Sequence, residues 1–192
     1  DEFFSASKSN KKLSKTKKNI QLVKIISGGQ SGVDIAAIKE AIKMGLKTGG
    51  TMPKGFKTEY GKKPDYAKKY NMSESSSGDY PTRTRQNIQD SDGTVIFGDL
   101  NSAGSRLTIK SANQQNKPVI TNPDIDTLSN WLYNNNIKTL NVAGNRESKG
   151  AGYGVTKEYR NIIRDAYLQR GTVDTKNLEL EEQHNKNKKD IL

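Results

Sequence analysis

From residue 21 onward, short apolar runs alternate with stretches in which apolar residues recur at helical spacing. Leu22, Val23, Ile25 and Ile26 form a run that stops at Ser27-Gly28-Gly29, the pattern of a buried strand closed by a turn. In residues 33–44, Val33, Ala36, Ala37, Ala41 and Met44 follow a helical period, and Gly45 supplies the stop. The same alternation predicts strands over 94–97, 117–120 and 139–142, and helices over 82–91, from 101–105 through Gln115, over 124–134 and over 152–168. Between them, residues 46–63 are rich in glycine around Pro53, so a long loop is expected after a short strand at 46–48, followed by a short helix near 64–70. Strands alternating with helices predict a single-domain α/β fold, a Rossmann-like parallel sheet with helices on both faces.

Composition bounds this picture. A chain of 192 residues suffices for one domain with a sizeable core, although only 31% of its residues are hydrophobic. The first twenty residues are rich in Lys, Ser and Asn and read as a disordered basic extension, residues 21–171 as the folded domain, and 172–192 as a charged tail. The net charge of +11 is unevenly spread: residues 1–24 hold seven lysines against two acids, and 25–171 hold 21 basic against 14 acidic side chains. A basic arm of this kind suits weak, nonspecific contact with nucleic acid, so a nucleic-acid-associated module is one reading of the whole. With no cysteine and a single histidine, His184, thiolate chemistry and structural zinc sites lack their ligands, and no metal site is expected. No run approaches the roughly 20 apolar residues of a membrane helix, and no apolar signal core opens the sequence, so a cytoplasmic protein without membrane contact is expected.

The sharpest local feature is Ser27-Gly28-Gly29-Gln30-Ser31-Gly32-Val33-Asp34, between an expected strand and an expected helix. Glycines allow close backbone approach, and a helix start offers unpaired N–H groups and a positive dipole end, so Gly28, Gly29, Gln30, Ser31, Gly32 and Asp34 are candidates for holding a phosphate. The segment also reads as an ordinary tight turn, and Asp34 as a helix cap. It is neither a Walker A loop nor a complete G-x-G-x-x-G. A second small-residue turn at 101–105, with Gly104 and Ser105, follows the strand ending near Gly98. Turns after neighbouring parallel strands meet at one sheet edge, where ligands bind. Arg83, Arg85 and Asn87 precede that strand and are candidates to line the same site, as is Lys54 from the glycine-rich loop, with a solvated face as the alternative. The turn at 141–148 brings Asn145, Glu147 and Ser148 to the rim; Asp34, Arg85 and Glu147 are weak candidates for catalysis. Tyr60, Tyr66, Tyr70 and Tyr80 lie among basic residues and suit either ring stacking or packing.

The order of these motifs resembles the molybdenum carrier family of the wider lysine-decarboxylase-like Rossmann superfamily. The pieces that carry the resemblance are Ile26-Ser27-Gly28-Gly29-Gln30-Ser31-Gly32-Val33-Asp34, Gly49-Gly50-Thr51-Met52-Pro53-Lys54-Gly55, Arg83-Thr84-Arg85-Gln86-Asn87 with Asp90-Ser91-Asp92-Gly93-Thr94, and Asn141-Val142-Ala143-Gly144-Asn145-Arg146-Glu147-Ser148. The resemblance implies a binding or carrier protein for a nucleotide or a molybdenum cofactor of the pterin-phosphate type, with Lys54, Arg85 and Asn87 around the pocket. Self-association is a further expectation. Related cytokinin-activating phosphoribohydrolases carry Gly-Gly-x-Gly-Thr-x-x-Glu after the corresponding strand, whereas this chain has Ser102-Ala103-Gly104-Ser105-Arg106-Leu107-Thr108, without the glutamate. A nucleotide-processing hydrolase is therefore the alternative and not the leading expectation.

Overall fold

A computed structural model describes residues 20–169 and Lys186. The strands are β1 (Lys24–Ile26), β2 (Lys47–Met52), β3 (Lys57–Thr58), β4 (Gly61–Lys62), β5 (Met72–Glu74), β6 (Gly93–Phe97), β7 (Val119–Thr121) and β8 (Thr139–Gly144). The helices are α1 (Val33–Lys43), α2 (Tyr66–Tyr70), α3 (Tyr80–Gln89), α4 (Ala103–Gln114), α5 (Ile125–Asn134) and α6 (Tyr153–Leu168), with one 3-10 turn at Glu147–Lys149. Side-chain caps explain three helix starts: Asp79 accepts from the Thr82 amide at 2.7 Å, Ser102 from Ser105 at 3.1 Å and Asp124 from Thr127 at 2.8 Å.

Six strands form a sheet in the order β5-β2-β1-β8-β6-β7, every neighbouring pair parallel. The chain lays β1, β2 and β5 outward in one direction, then starts again with β6 and β7 beyond a gap that β8 returns to fill. The direction of winding thus reverses around β8, and the loops leaving β1, β8 and β6 stand side by side. All five residues of β6 are buried, as the continuous apolar run of an inner parallel strand requires. One face of the sheet packs Ile25, Val95, Phe97, Leu140 and Val142 with Val33 and Ala37 of α1, Leu128 and Leu132 of α5, and Ile163 of α6. A smaller apolar cluster joins Ile38, Met52, Tyr70 and Met72. Helices α1 and α6 are also tied by Arg160 Nε, which donates to the buried Glu40 at 2.8 Å.

The expected Rossmann-like α/β fold is therefore present, with differences in detail. The segment read as a loop holds the full length of β2 and the β3–β4 hairpin, and β5 was not foreseen. Hydrophobic pattern is silent in β2 because Gly49 and Gly50 replace apolar residues. At Gly50, φ is +125°, and a Cβ would sit 2.0 Å from the Ser27 carbonyl oxygen, so the close passage of β2 past the end of β1 excludes a side chain. Ile20, assigned to the basic extension, is instead buried in the main core. The rest of that extension, residues 1–19, and nearly all of the tail lie outside the described residues. Among the described residues, no helix is long and apolar enough to cross a membrane.

Candidate functional site

The loops after β1, β6 and β8, together with the first turn of α3, surround a cleft of about 620 Å³ at the carboxyl edge of the sheet. Three internal contacts bring the loops together. The Val33 amide donates to the Asn145 carbonyl at 3.2 Å, Asn145 Oδ1 accepts from the Asp99 amide at 2.6 Å, and the Glu147 amide donates to Ser31 Oγ at 3.1 Å. The cleft wall is chemically mixed. Gln30, Asp34 and Arg83 stand together, linked through Asp34 Oδ2, and Arg146, Lys149 and the start of α4 at Ala103, Gly104 and Ser105 line other parts of it.

Asp34 sits on the first turn of α1, 4% exposed. Burial pushes its carboxyl up to about 6, against the opposing pull of the Arg83 guanidinium and of the Gln30 and Gly28 amides. Arg83 approaches it with Nη1 3.8 Å from Oδ2, and its guanidinium lies 5.4 Å from the centre of the Tyr80 ring. Desolvation lowers the Arg83 pKa, with Asp34 opposing, but a guanidinium keeps its charge at any ordinary pH. Its Nε is buried and has no hydrogen-bond partner among the described residues, and the same holds for the side-chain oxygen of Gln30. Two unpaired polar atoms on the wall of one cleft are costly unless something enters to meet them.

The arrangement sorts the residues singled out in the sequence. Gln30, Asp34, Arg83, Gly104 and Ser105 line the cleft. Gly28 lies directly behind it, where a Cβ would fall 1.9 Å from Arg83 Nη1 and 2.9 Å from Asp34 Oδ2. Arg85 points the other way, exposed on the outer face of α3, because residues two apart on a helix face nearly opposite directions. Asn87 is buried, and its amide group is consumed by β2, accepting from the Thr51 amide at 2.7 Å and donating to the Thr51 carbonyl at 3.0 Å. Lys54 is exposed and outside the cleft lining, and Glu147 is exposed at the rim.

Several amides of the first glycine turn are taken up within the fold. The Gly29 amide donates to Ser27 Oγ at 3.2 Å, the Gln30 amide to Asp34 Oδ2 at 3.2 Å, and the Val33 amide to Asn145. Ser31 is bound to Glu59, which also accepts from the Ser148 hydroxyl and amide. These serine contacts, Ser148 first, hold the Glu59 carboxyl below its usual range. The amides of Ala103 and Gly104 at the start of α4 have no acceptor among the described residues, and a Cβ at Gly104 would meet nothing within 4 Å. The second turn therefore has donors to offer beside the cleft. Of the tyrosines, Tyr66 and Tyr70 pack edge-to-face with centroids 4.9 Å apart, whereas Tyr80 lines the cleft. Arg146, Lys149 and Glu59 were not singled out from the sequence; the signal available for Arg146 was its place one residue past Asn145 in a turn already marked.

The elevated Asp34 has a consequence for stability. Unfolded, the carboxyl titrates near 3.8, and folded near 6, so the folded chain binds more protons between those values. Stability therefore falls as pH rises through about 4 to 6 and levels off above, by an amount on the order of 3 kcal/mol. In urea unfolding followed from pH 4 to 7.5, Asp34→Asn is expected to flatten that part of the profile. An Asn variant with the wild-type slope would assign the titration to another group.

The description of the Circularly permutated YpsA SLOG family matches residues 25–167. Among solved structures, one described as "Putative molybdenum carrier protein", from Syntrophus aciditrophicus, is 34% identical, with the alignment covering 77% of this chain and 96% of that one at a TM-score of 0.68. The E-1-hydroxy-2-methyl-but-2-enyl-4-diphosphate reductase of Plasmodium falciparum aligns at 14% identity over 74% of this chain and 52% of that chain, and its TM-score of 0.32 carries no argument. No curated protein matches the sequence.

Proposed function

The chain belongs to the circularly permutated YpsA SLOG family, and from that premise we propose that it binds a small phosphate-bearing molecule in the cleft between the β1, β6 and β8 loops, as a binding or carrier protein. The observation that carries this reading is Arg83. A half-buried guanidinium whose buried Nε has no partner among the described residues, and whose ion pair with Asp34 is stretched to 3.8 Å, is a cation with bonding capacity left for an entering anion. Arg146, Lys149 and the free first amides of α4 add positive potential and donors from the other sides. The first glycine turn contributes shape: it lets the β1 loop pass tightly against Arg83, while its Gly29, Gln30 and Val33 amides serve the fold.

The similar protein from Syntrophus aciditrophicus bears the name of a molybdenum carrier, which makes the molybdenum cofactor one candidate cargo beside nucleotides. The residues fit the phosphate of such a cargo through Arg83 and the start of α4. They offer no thiolate to the metal, since the chain has no cysteine, and no group of three His, Cys, Asp or Glu side chains able to hold a metal ion occurs among the described residues. The cargo would be held by its organic and phosphate portions.

Purified protein titrated with nucleoside monophosphates, molybdopterin and inorganic phosphate should show saturable heat and a raised melting temperature. At a ligand concentration of 100 times Kd the stabilisation is about 2.7 kcal/mol. Flat responses across the whole set would overturn the proposal. A hydrolytic reading has one observation in its favour, the carboxyl of Asp34 held near 6 beside the cleft, a value suited to proton transfer near neutral pH. It requires release of free base from a nucleoside monophosphate, abolished in Asp34→Asn.

A further inference from the structure

We propose that Gln30 is the residue by which the cleft selects its ligand: its side-chain oxygen accepts a hydrogen bond from a hydroxyl or amino group of the bound phosphate ester, and Gln30 takes no part in holding the phosphate. This rests on the reading of the cleft as a phosphate-ester site and goes further, to the chemistry of the rest of the ligand.

The orientation of the Gln30 amide is fixed by its neighbours. Nε2 donates to the Lys57 carbonyl at 2.9 Å and to the Gly28 carbonyl at 3.2 Å. A reversed amide would set an oxygen against two carbonyl oxygens at those distances, so both hydrogens of the NH₂ group are committed. The backbone amide of Gln30 is committed as well, to Asp34 Oδ2. Gln30 therefore has no donor left for an anion. What remains is Oε1, an acceptor without a partner among the described residues, in a residue only 3% exposed that lines the cleft. A phosphate oxygen would be repelled there, and a ligand O–H or N–H would pair with it.

The sheet order supplies the spacing. Gln30 follows β1 and the free amides of α4 follow β6, with β8 between them. Two strand spacings separate those loops, about 10 Å. An inorganic oxyanion cannot bridge that distance, whereas an ester with a sugar or ring system can place its phosphate at α4 and its donor group at Gln30, beside the Asp34–Arg83 pair. The acceptor side of the cleft, Gln30 and Asp34, and the donor side thus describe a ligand that is anionic at one end and carries hydrogen-bond donors toward the other. Asp34 carries its own amides from Gly28 and Gln30, which leaves the uncommitted Gln30 oxygen as the discriminating acceptor.

The test is a coupling measurement by calorimetry. Ribonucleoside 5′-monophosphates, their 2′-deoxy and 2′,3′-dideoxy counterparts, base analogues lacking the exocyclic amino group, and inorganic phosphate are titrated into the wild-type chain and into Gln30→Met, which keeps the length of the side chain without its polar atoms. For the tightest-binding ester, removal of one donor is expected to weaken binding to the wild type ten- to a hundredfold and to Gln30→Met less than twofold. Equal losses in both proteins overturn the assignment. Should the variant fold poorly, the wild-type series decides alone: donor-deleted analogues that all bind as tightly as the parent overturn it. Absence of binding by every ester would remove the phosphate-ester reading, a different outcome from binding that ignores the donors.

Discussion

Arg83→Ala is expected to weaken binding of phosphate esters about a hundredfold, while Arg85→Ala leaves it within twofold. The two arginines are separated by a single residue and carry the same charge, so the contrast isolates geometry. Arg83 faces the cleft, half-buried against Asp34 and Tyr80, with its Nε unpaired among the described residues; Arg85 is exposed on the far side of the same helix. A charge-assisted hydrogen bond in a desolvated site contributes roughly 1.5–3 kcal/mol, and about 2.7 kcal/mol corresponds to a hundredfold change in Kd. Arg83→Lys should recover only part of the loss, because an ammonium supplies a point charge and cannot present the guanidinium fork. The removal also acts on Asp34. Its carboxyl loses the cation that opposes burial, so its titration moves above 6 and the pH window over which stability falls, whose lower edge the unfolded carboxyl sets, extends upward. Calorimetric titration of the three variants with the best-binding ester measures the first effect, and urea midpoints against pH the second. Equal losses from Arg83→Ala and Arg85→Ala would mean that long-range charge, and not the cleft, attracts the ligand.

How much of this was readable beforehand differs by kind of feature. Local signals were enough for the helices, whose caps Asp79, Ser102 and Asp124 fall where the pattern changes, and for the inner strands, whose apolar runs are continuous. They failed in β2, since a strand that passes close to another backbone uses glycine where a pattern expects valine or isoleucine. The site followed the same division. That turns after β1 and β6 would meet at one edge follows from the alternation of elements, and Gln30, Asp34, Arg83, Gly104 and Ser105 do line one cleft. Whether a glycine turn has free amides depends on distant partners that no local window contains: Asp34 occupies the Gln30 amide and Asn145 the Val33 amide, and Glu59, from a hairpin read as loop, occupies the Ser31 side chain. Asn87 shows the converse. Its residue type and place suit a ligand contact, but the amide is satisfied by Thr51, thirty-six positions earlier in the chain.

Gly32→Ala is expected to destabilise the chain by about 3 kcal/mol or more and to abolish binding in whatever fraction still folds. Gly32 precedes α1 with φ +80° and ψ −125°, a region that residues with a Cβ avoid. Conformation is the smaller part of the argument. A Cβ there would stand 2.4 Å from the Asn145 carbonyl oxygen, 2.8 Å from the Glu147 nitrogen and 2.9 Å from the Arg146 carbonyl carbon, all backbone atoms that no rotamer change can move aside. The β8 loop would have to withdraw, breaking the Val33–Asn145 hydrogen bond and carrying Asn145 Oδ1 away from the Asp99 amide, which helps to position the loop into α4. One methyl group would thus separate the three loops that form the cleft and displace Arg146 from its wall. Gly45→Ala is the matched control: it has φ +73° but open space within 4 Å, so it should cost only the left-handed conformation, about 1 kcal/mol, and leave binding intact. Thermal unfolding separates the pair, with a drop of about 10 °C for Gly32→Ala against a few degrees for Gly45→Ala. Equal drops would mean that backbone strain alone sets the cost, and that the β1 and β8 loops are free to part without loss.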